Sequence, residues 1–151
     1  MSFMENSVLV EGNNFDVVRK KIRENTGKII IFSSNNDELN RKILEKEKID
    51  VLLLNQAERK DSQKQRNSGF NQILARIAKK NDISIGINFD EILESKTKAK
   101  ADILARVKQN IKLCNKNKLR MKFIGKKDRN IYDLKALGLV LGMPTSILKN
   151  L

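Results

Sequence analysis

The chain has 151 residues, of which 40% are hydrophobic and 32% charged, and it carries a formal net charge of +13. This length fits a single domain over 1–151, and the apolar content is sufficient for a packed core. One Cys and no His exclude a disulfide framework, the usual zinc sets and catalysis by a His base. The sequence also lacks an apolar run of the roughly 18 residues that a membrane span needs, and its start does not resemble an export signal, so we expect a cytoplasmic protein.

Five short runs of β-branched, aliphatic or aromatic residues predict strands, and stretches with helical periodicity lie between them. The predicted strands are Val8–Val10, Ile29–Phe32, Val51–Leu54, Ile83–Ile87 and Met121–Ile124. The predicted helices are about Phe15–Glu24, Asp37–Lys46, Asn71–Lys80 and a long one at about 98–117. Several strands are apolar on consecutive residues, which indicates burial on both faces. The alternating order therefore predicts an α/β fold with mostly parallel strands.

The segment Asn55–Phe70 has no periodicity and little apolar content, which predicts a surface loop. It follows the third strand, at the carboxyl end where α/β folds place their binding sites, and this makes it a candidate site. Two other segments follow strands. Gly12–Asn14 lacks the further glycines of a nucleotide-binding loop. We interpret Asp90 and Glu91 as an ordinary helix start rather than a residual magnesium pair.

The positive charge is concentrated in one part of the chain. Residues 95–129 contain thirteen Lys or Arg and only two Asp, a net charge of +11, whereas 1–94 and 130–151 each carry +1. Such a block would hold a polyanion against one face of the molecule. The alternative is a surface that is merely solvated.

The helix at 98–117 is predicted to be amphipathic and basic. At about 100° per residue, its apolar side chains share one sector and its lysines lie opposite. The apolar sector contains Ile103, Leu104, Val107, Ile111 and Cys114, and the lysines are Lys98, Lys108, Lys112 and Lys116. This stripe of lysines is spaced to follow a phosphate backbone. At the edge of the apolar sector, Asn110 is predicted to be a buried hydrogen-bonding residue and Cys114 a small core residue.

Four blocks of sequence carry a resemblance to a known family. In chain order they are Arg66–Ala78, Ile85–Leu93, Arg106–Lys116 and Asp133–Met143, and together they span about half of the chain. They are similar to protein component 3 of ribonuclease P, the archaeal relative of the eukaryotic thirty-kilodalton subunit.

This resemblance implies a TIM-barrel-like (β/α) fold, similar to metal-dependent phosphoesterases of the polymerase-and-histidinol-phosphatase type. Because the chain is short for the family, we expect an incomplete barrel. The implied function is that of a non-catalytic subunit of ribonuclease P, an endoribonuclease whose RNA uses magnesium to remove 5′ leaders from precursor tRNA. The implied partners are the ribonuclease P RNA, precursor tRNA indirectly, and a small partner subunit, with two copies of each protein in the complex.

The candidate RNA-binding residues combine the basic segment with two arginines of the first block. They are Arg66, Arg76, Lys108, Lys112, Lys116, Arg120, Lys126, Lys127 and Arg129. Near Arg66, Gly69 is either a positive-φ residue that lets the chain approach a phosphate or an ordinary turn into the next helix. For Arg76 the alternatives are RNA contact and an exposed ion pair with Asp82 or with a glutamate elsewhere. One Tyr and six Phe are too few for a base-stacking platform, which favours recognition of structured RNA through its phosphates.

Functions of other classes remain open. A stand-alone magnesium-dependent phosphoesterase or nuclease without His would need several carboxylates at the strand ends to hold its metal ions. The positions after the strands, Asn55, Asn88–Asp90 and Gly125, supply too few acids for such a cluster, so no catalytic or metal-binding residue is assigned. A basic protein of another RNA particle, such as the ribosome, differs from the favoured function only by the four blocks.

Overall fold

The computed structural model describes residues 6–61 and 66–151. Within these residues five strands alternate with seven helices. The strands are β1 (Ser7–Glu11), β2 (Ile29–Ser33), β3 (Val51–Leu54), β4 (Ser84–Asn88) and β5 (Met121–Ile124). The helices are α1 (Phe15–Glu24), α2 (Asp37–Lys46), α3 (Gln72–Lys80), α4 (Phe89–Glu94), α5 (Thr97–Lys116), α6 (Ile131–Val140) and α7 (Thr145–Leu148). The five predicted strands and four predicted helices are confirmed. The predicted helix start at Asp90 and Glu91 is also confirmed, because both lie in the first turn of α4. Helices α6 and α7 were not predicted.

All five strands are parallel and lie in the sheet in their order along the chain. In the register, Ile31 lies opposite Val51 and Leu53 lies opposite Gly86. Sequential parallel strands joined by helices are the repeating unit of a (β/α) barrel. In the part of the chain that the structure describes, β1 and β5 do not pair with each other. The predicted α/β fold with parallel strands is therefore confirmed.

Both faces of the sheet are buried, as the apolar strands predicted. One face packs against the helices and forms the main core, with Phe32, Leu52, Ile85 and Phe123 at its centre. On the other face Ile31, Val51, Leu53 and Ile124 form a second, smaller cluster. Gly86 lies between the strands of this cluster, where a Cβ atom would be only 3.2 Å from Leu53 Cδ1. A glycine at this position lets the apolar side chains of β3 and β5 approach each other.

Asparagine side chains define the starts of most helices. Five of the seven helices in the described residues begin with an Asn whose side chain accepts a hydrogen bond from a first-turn N–H. These residues are Asn14, Asn36, Asn71, Asn88 and Asn130. The caps satisfy N–H groups that have no partner within the helix and so determine where each helix begins.

The parallel strands divide the loops between two edges of the sheet. Loops that follow strands lie at the carboxyl edge, and loops that precede strands lie at the amino edge. Helix α5 connects the two, because it starts after β4 and ends before β5, and its 20 residues extend about 30 Å. None of the helices in residues 6–61 and 66–151 is both long enough and apolar enough to cross a bilayer.

Candidate RNA-binding surface

At the carboxyl edge, amide and hydroxyl side chains connect the ends of three neighbouring strands. Asn88 Nδ2 donates to Asn55 Oδ1 at 2.9 Å, and Asn55 Nδ2 donates to Ser33 Oγ at 2.8 Å. They border a cavity of about 300 Å³ that Glu11 and Glu91 also line. The polar groups at this edge are largely satisfied by one another, which ties the strand ends together.

The carboxylates near this cavity hold loops in place. Glu91 accepts hydrogen bonds from the N–H groups of Gln56, at 2.7 Å, and Ala57, at 3.2 Å. Burial raises the pKa of Glu91, although these hydrogen bonds and the charge of Arg59 act in the opposite direction. Asp90 accepts from the N–H of Lys126 at 3.1 Å. Across residues 6–61 and 66–151, no group of three His, Cys, Asp or Glu side chains is arranged to hold a metal ion.

The segment Asn55–Phe70 is irregular in its described parts, 55–61 and 66–70, but the prediction of a surface loop is wrong for several of its residues. Gln56 is 2% exposed, Ser68 is 1% exposed and Phe70 is also buried. Gln56 Nε2 donates to the carbonyl oxygen of Ser68 at 2.9 Å, which joins the start of the segment to its end. Gln56 and Ser68 are buried because each donates a side-chain hydrogen bond to a backbone carbonyl, although Gln56 Oε1 has no partner in the described residues.

Arg106 of α5 anchors this segment. Its side chain is nearly inaccessible and donates to the carbonyl oxygens of Gln56, at 3.0 Å, and Arg59, at 2.7 Å. It also pairs with Asp61 at 3.1 Å. The pKa of Asp61 is lowered, first by the hydrogen bond that the Asn67 N–H donates and then by Arg106. The sequence analysis treated Arg106 only as one cation of the basic segment. Its position among the apolar residues of α5 indicates that the side chain is buried and needs hydrogen-bond partners.

Arg59 forms a second anchor, toward α2. Its guanidinium binds both carboxylate oxygens of Asp37, at 3.0 and 3.1 Å, and donates to the carbonyl oxygen of Asn55 at 2.6 Å. Gly69, with φ +73°, packs directly against this guanidinium. A side chain at Gly69 would collide with Arg59, so this position requires glycine both for its backbone conformation and for close packing.

Four of the nine candidate RNA-binding residues lie around the outer side of α5. Lys108, Lys112 and Lys116 are exposed and occupy successive turns of one face. Arg66 is exposed beside this helix, since Gln109 Nε2 lies 3.5 Å from the Arg66 carbonyl oxygen. The structure thus brings the candidate loop next to the Lys stripe.

The other five candidates are dispersed. Arg76 is exposed on α3 and forms no ion pair within the described residues, because Asp82 instead pairs with Arg120 at 2.6 Å. Arg120 lies at the amino edge. Lys126, Lys127 and Arg129 follow β5 and so lie at the carboxyl edge, where the Arg129 guanidinium is 5.5 Å from the centre of the Phe89 ring.

The basic segment is therefore divided rather than continuous. The four residues of β5 separate its two parts by about 13 Å along the strand. Between them, Lys122 is half-buried and its Nζ donates to the carbonyl oxygen of Asn150 at 2.6 Å. Burial and, secondarily, the nearby charge of Arg120 lower the pKa of Lys122.

Two further residues of α5 behave as core residues. Cys114 is completely buried, and burial raises the pKa of its thiol to about 12, which confirms the prediction of a small core side chain. Asn110 is also buried as predicted, but its Oδ1 has no hydrogen-bond partner in the described part of the chain.

The sequence is similar to proteins named ribonuclease P protein component 3. One from Methanococcus maripaludis (strain C7) is 28% identical over 135 residues, which cover 89% of this chain and 55% of that protein. Another, from Methanococcus vannielii, is 30% identical over 104 residues, covering 69% of this chain and 42% of the relative. The resemblance inferred from the four blocks is thus confirmed. The chain spans about half of the length of these curated relatives.

The fold is similar to that of a chain in a cryo-EM structure of archaeal ribonuclease P with mature tRNA. The TM-score is 0.77 at 22% sequence identity, and the match covers 95% of this chain and 64% of the other. No protein-family model matches the sequence.

Proposed function

We propose that this chain is a non-catalytic protein subunit of ribonuclease P that binds the catalytic RNA and supports removal of 5′ leaders from precursor tRNA. The observation that carries this proposal is the similarity to component 3 proteins over 89% of the chain. In the proposed holoenzyme, an endoribonuclease, the RNA performs the cleavage with magnesium. The protein contributes binding and positioning, since it contains no His that could act as a base.

The proposed RNA contacts are phosphate contacts made by exposed cations. The lysines on successive turns of α5 and the adjacent Arg66 support this, because they form an exposed basic strip on a rigid helix. The full proposed set is Arg66, Arg76, Lys108, Lys112, Lys116, Arg120, Lys126, Lys127 and Arg129.

A small partner subunit, with two copies of each protein, completes the proposed complex. Apolar side chains on α6 support a protein partner, because Tyr132, Leu139 and Val140 are 76%, 65% and 78% exposed, respectively. Apolar surface of this kind is normally covered by another protein.

A stand-alone phosphoesterase is less well supported than a subunit. Such an enzyme would need free carboxylates that converge on metal ions. Here Asp37 is bound to Arg59, Asp61 to Arg106, and Glu91 to two backbone N–H groups. These acids stabilise loops in the structure described above.

Cleavage of precursor tRNA with and without the other components tests the proposal. We expect the purified chain with magnesium to cleave nothing, and to raise the cleavage rate when added to the RNA and the partner proteins. No effect on the reconstituted particle would contradict the subunit proposal. Metal-dependent cleavage at the mature 5′ end by the purified chain, abolished by Asp90→Asn, would establish the stand-alone enzyme instead.

A further inference from the structure

The amino edge of the sheet carries a cluster of exposed cations between the ends of α3 and α5. We call it the amino-edge basic surface, and it consists of Lys79, Lys80, Lys116, Lys118 and Arg120. The two connections are in direct contact, because Lys79 Nζ donates to the carbonyl oxygen of Lys118 at 3.1 Å. A cavity of about 270 Å³ lies between them, lined by Lys79, Lys118 and Arg120 together with Asp82.

Helix dipoles explain only part of this cluster. Lysines in the last turn of a helix offset its negative end, which accounts for Lys79, Lys80 and Lys116. Lys118 and Arg120 lie beyond the end of α5 in the connection to β5, so they add positive charge that the dipoles do not require.

The backbone at Lys118 provides a second, independent observation. Helices α3, α5 and α6 end in the same way, with a hydrogen bond from the residue after a positive-φ position back to the last turn. After α6 the positive-φ residue is Gly142, and glycine is usual in this turn. After α3 it is Asp82, with φ +54°, and after α5 it is Lys118, with φ +57°. Two charged residues thus occupy positions where glycine would be less strained, and they face the same cavity. The structure therefore holds Lys118 beside this cavity at a cost in backbone conformation.

Neighbouring acids leave most of this charge uncompensated. Asp82 is bound to Arg120, and Asp50 is occupied by the N–H of Ile30 at 2.8 Å. Lys80, Lys116 and Lys118 form no ion pair with any described residue. The carboxyl edge is different, since Glu11, Asp90 and Glu91 line its cavity together with Lys126 and offset the positive charge there.

We infer that the amino-edge basic surface binds the phosphodiester backbone of RNA. Parallel α/β enzymes place their sites at the carboxyl edge, but here the distribution of charge favours the opposite edge. This inference rests on the proposed function, from which the RNA partner is taken. It adds Lys79, Lys80 and Lys118 to the proposed contacts and, through Lys116, extends the lysine stripe of α5 onto the amino edge.

The test compares two double variants of equal net charge, Lys80→Gln with Lys118→Gln and, as the control, Lys20→Gln with Lys96→Gln, at exposed positions of α1 and just before α5. Binding of ribonuclease P RNA is measured across a salt series. Loss of two phosphate contacts should reduce the slope of log K against log salt by about one to two units and weaken binding roughly tenfold near physiological salt. The control should leave the slope unchanged.

The variant Lys118→Gly separates binding from folding. Glycine relieves the positive-φ strain, so we expect a melting temperature at or above that of the unmodified chain together with weaker RNA binding, while Lys118→Arg should retain binding. Two results would show that the inference is wrong when the unmodified chain binds RNA. In one, both double variants reduce the slope of log K against log salt equally, and in the other neither variant changes it. If the unmodified chain neither binds the RNA nor affects the reconstituted particle, the proposed function fails first, and this inference fails with it.

Discussion

A single buried cation, Arg106, connects the long helix to the segment that follows β3. Burying a charge is costly unless hydrogen bonds satisfy it. Each of its three guanidinium nitrogens donates a hydrogen bond, two to backbone carbonyls and one to the carboxylate of Asp61. Charge-assisted hydrogen bonds to Gln56 and Arg59 hold the backbone between these two residues. The segment therefore owes its conformation to a residue almost fifty positions away in sequence.

Replacing Arg106 by Ala should destabilise the chain by about 2–4 kcal/mol, because two buried carbonyl groups lose their donor. Denaturant unfolding measures the change in the free energy of unfolding. Arg76→Ala is the matched control, since this arginine is exposed on α3 and its loss should cost no more than about 0.5 kcal/mol. Equal stability of the two variants would show that Arg106 does not anchor the segment.

Among the elements, the amphipathic helix α5 has one face that packs against the sheet and another that carries exposed lysines. Ile103, Val107 and Ile111 are buried against the sheet, whereas the lysines of the opposite face are in solvent. Charge on the outer face can therefore be changed without disturbing the packing of the inner face, which makes the helix a direct test of RNA contact.

Changing Lys112 and Lys116 together to Gln should reduce the salt slope of RNA binding by about one to two units, since each phosphate contact contributes roughly 0.7–0.9. Thermal stability should stay within about 0.5 kcal/mol per site, as for other exposed positions. Binding titrations over a range of salt, paired with melting curves, measure both effects. An unchanged slope would mean that this face is solvated or contacts protein, and would direct the search for the RNA surface to Arg66.

The molecule as a whole has different chemistry on its different sides. The carboxyl edge presents amides and carboxylates beside the cations that follow β5, the amino edge presents mainly cations, and α6 presents apolar side chains. This division suits the proposed subunit role, because phosphates and apolar protein surfaces require different partners.

We expect a stable complex with the small partner subunit, detected as a defined larger species by light scattering at micromolar concentration. Changing Leu139 and Val140 to Ser should weaken it by removing apolar area from the contact. Val17→Ser, at a half-exposed position of α1, is the control and should have no effect. A monodisperse monomer in the presence of the partner would contradict the expected complex.

Local features of the sequence were sufficient to predict most of the fold. Strand and helix periods depend on neighbouring residues, and Asn caps act within one turn, so β1 to β5 and helices α1, α2, α3 and α5 were predictable. Helix α6 was missed because it is apolar around most of its circumference. Only the start of α4 was predicted, at Asp90 and Glu91, because its six residues are too few to show a period. The lack of His and the four family blocks were also properties of the sequence alone.

Tertiary structure decided how the charges are distributed. Residues 95–129 form one basic block in the sequence, but β5 separates its cations between opposite edges, and Arg106 enters the interior. The strained position of Lys118 beside the end of α3 depends on two connections that are distant in sequence. Sequence determined which side chains were available, because composition and local periodicity are properties of the chain. Only the packing of distant segments determined which charges found partners and which remained exposed to solvent.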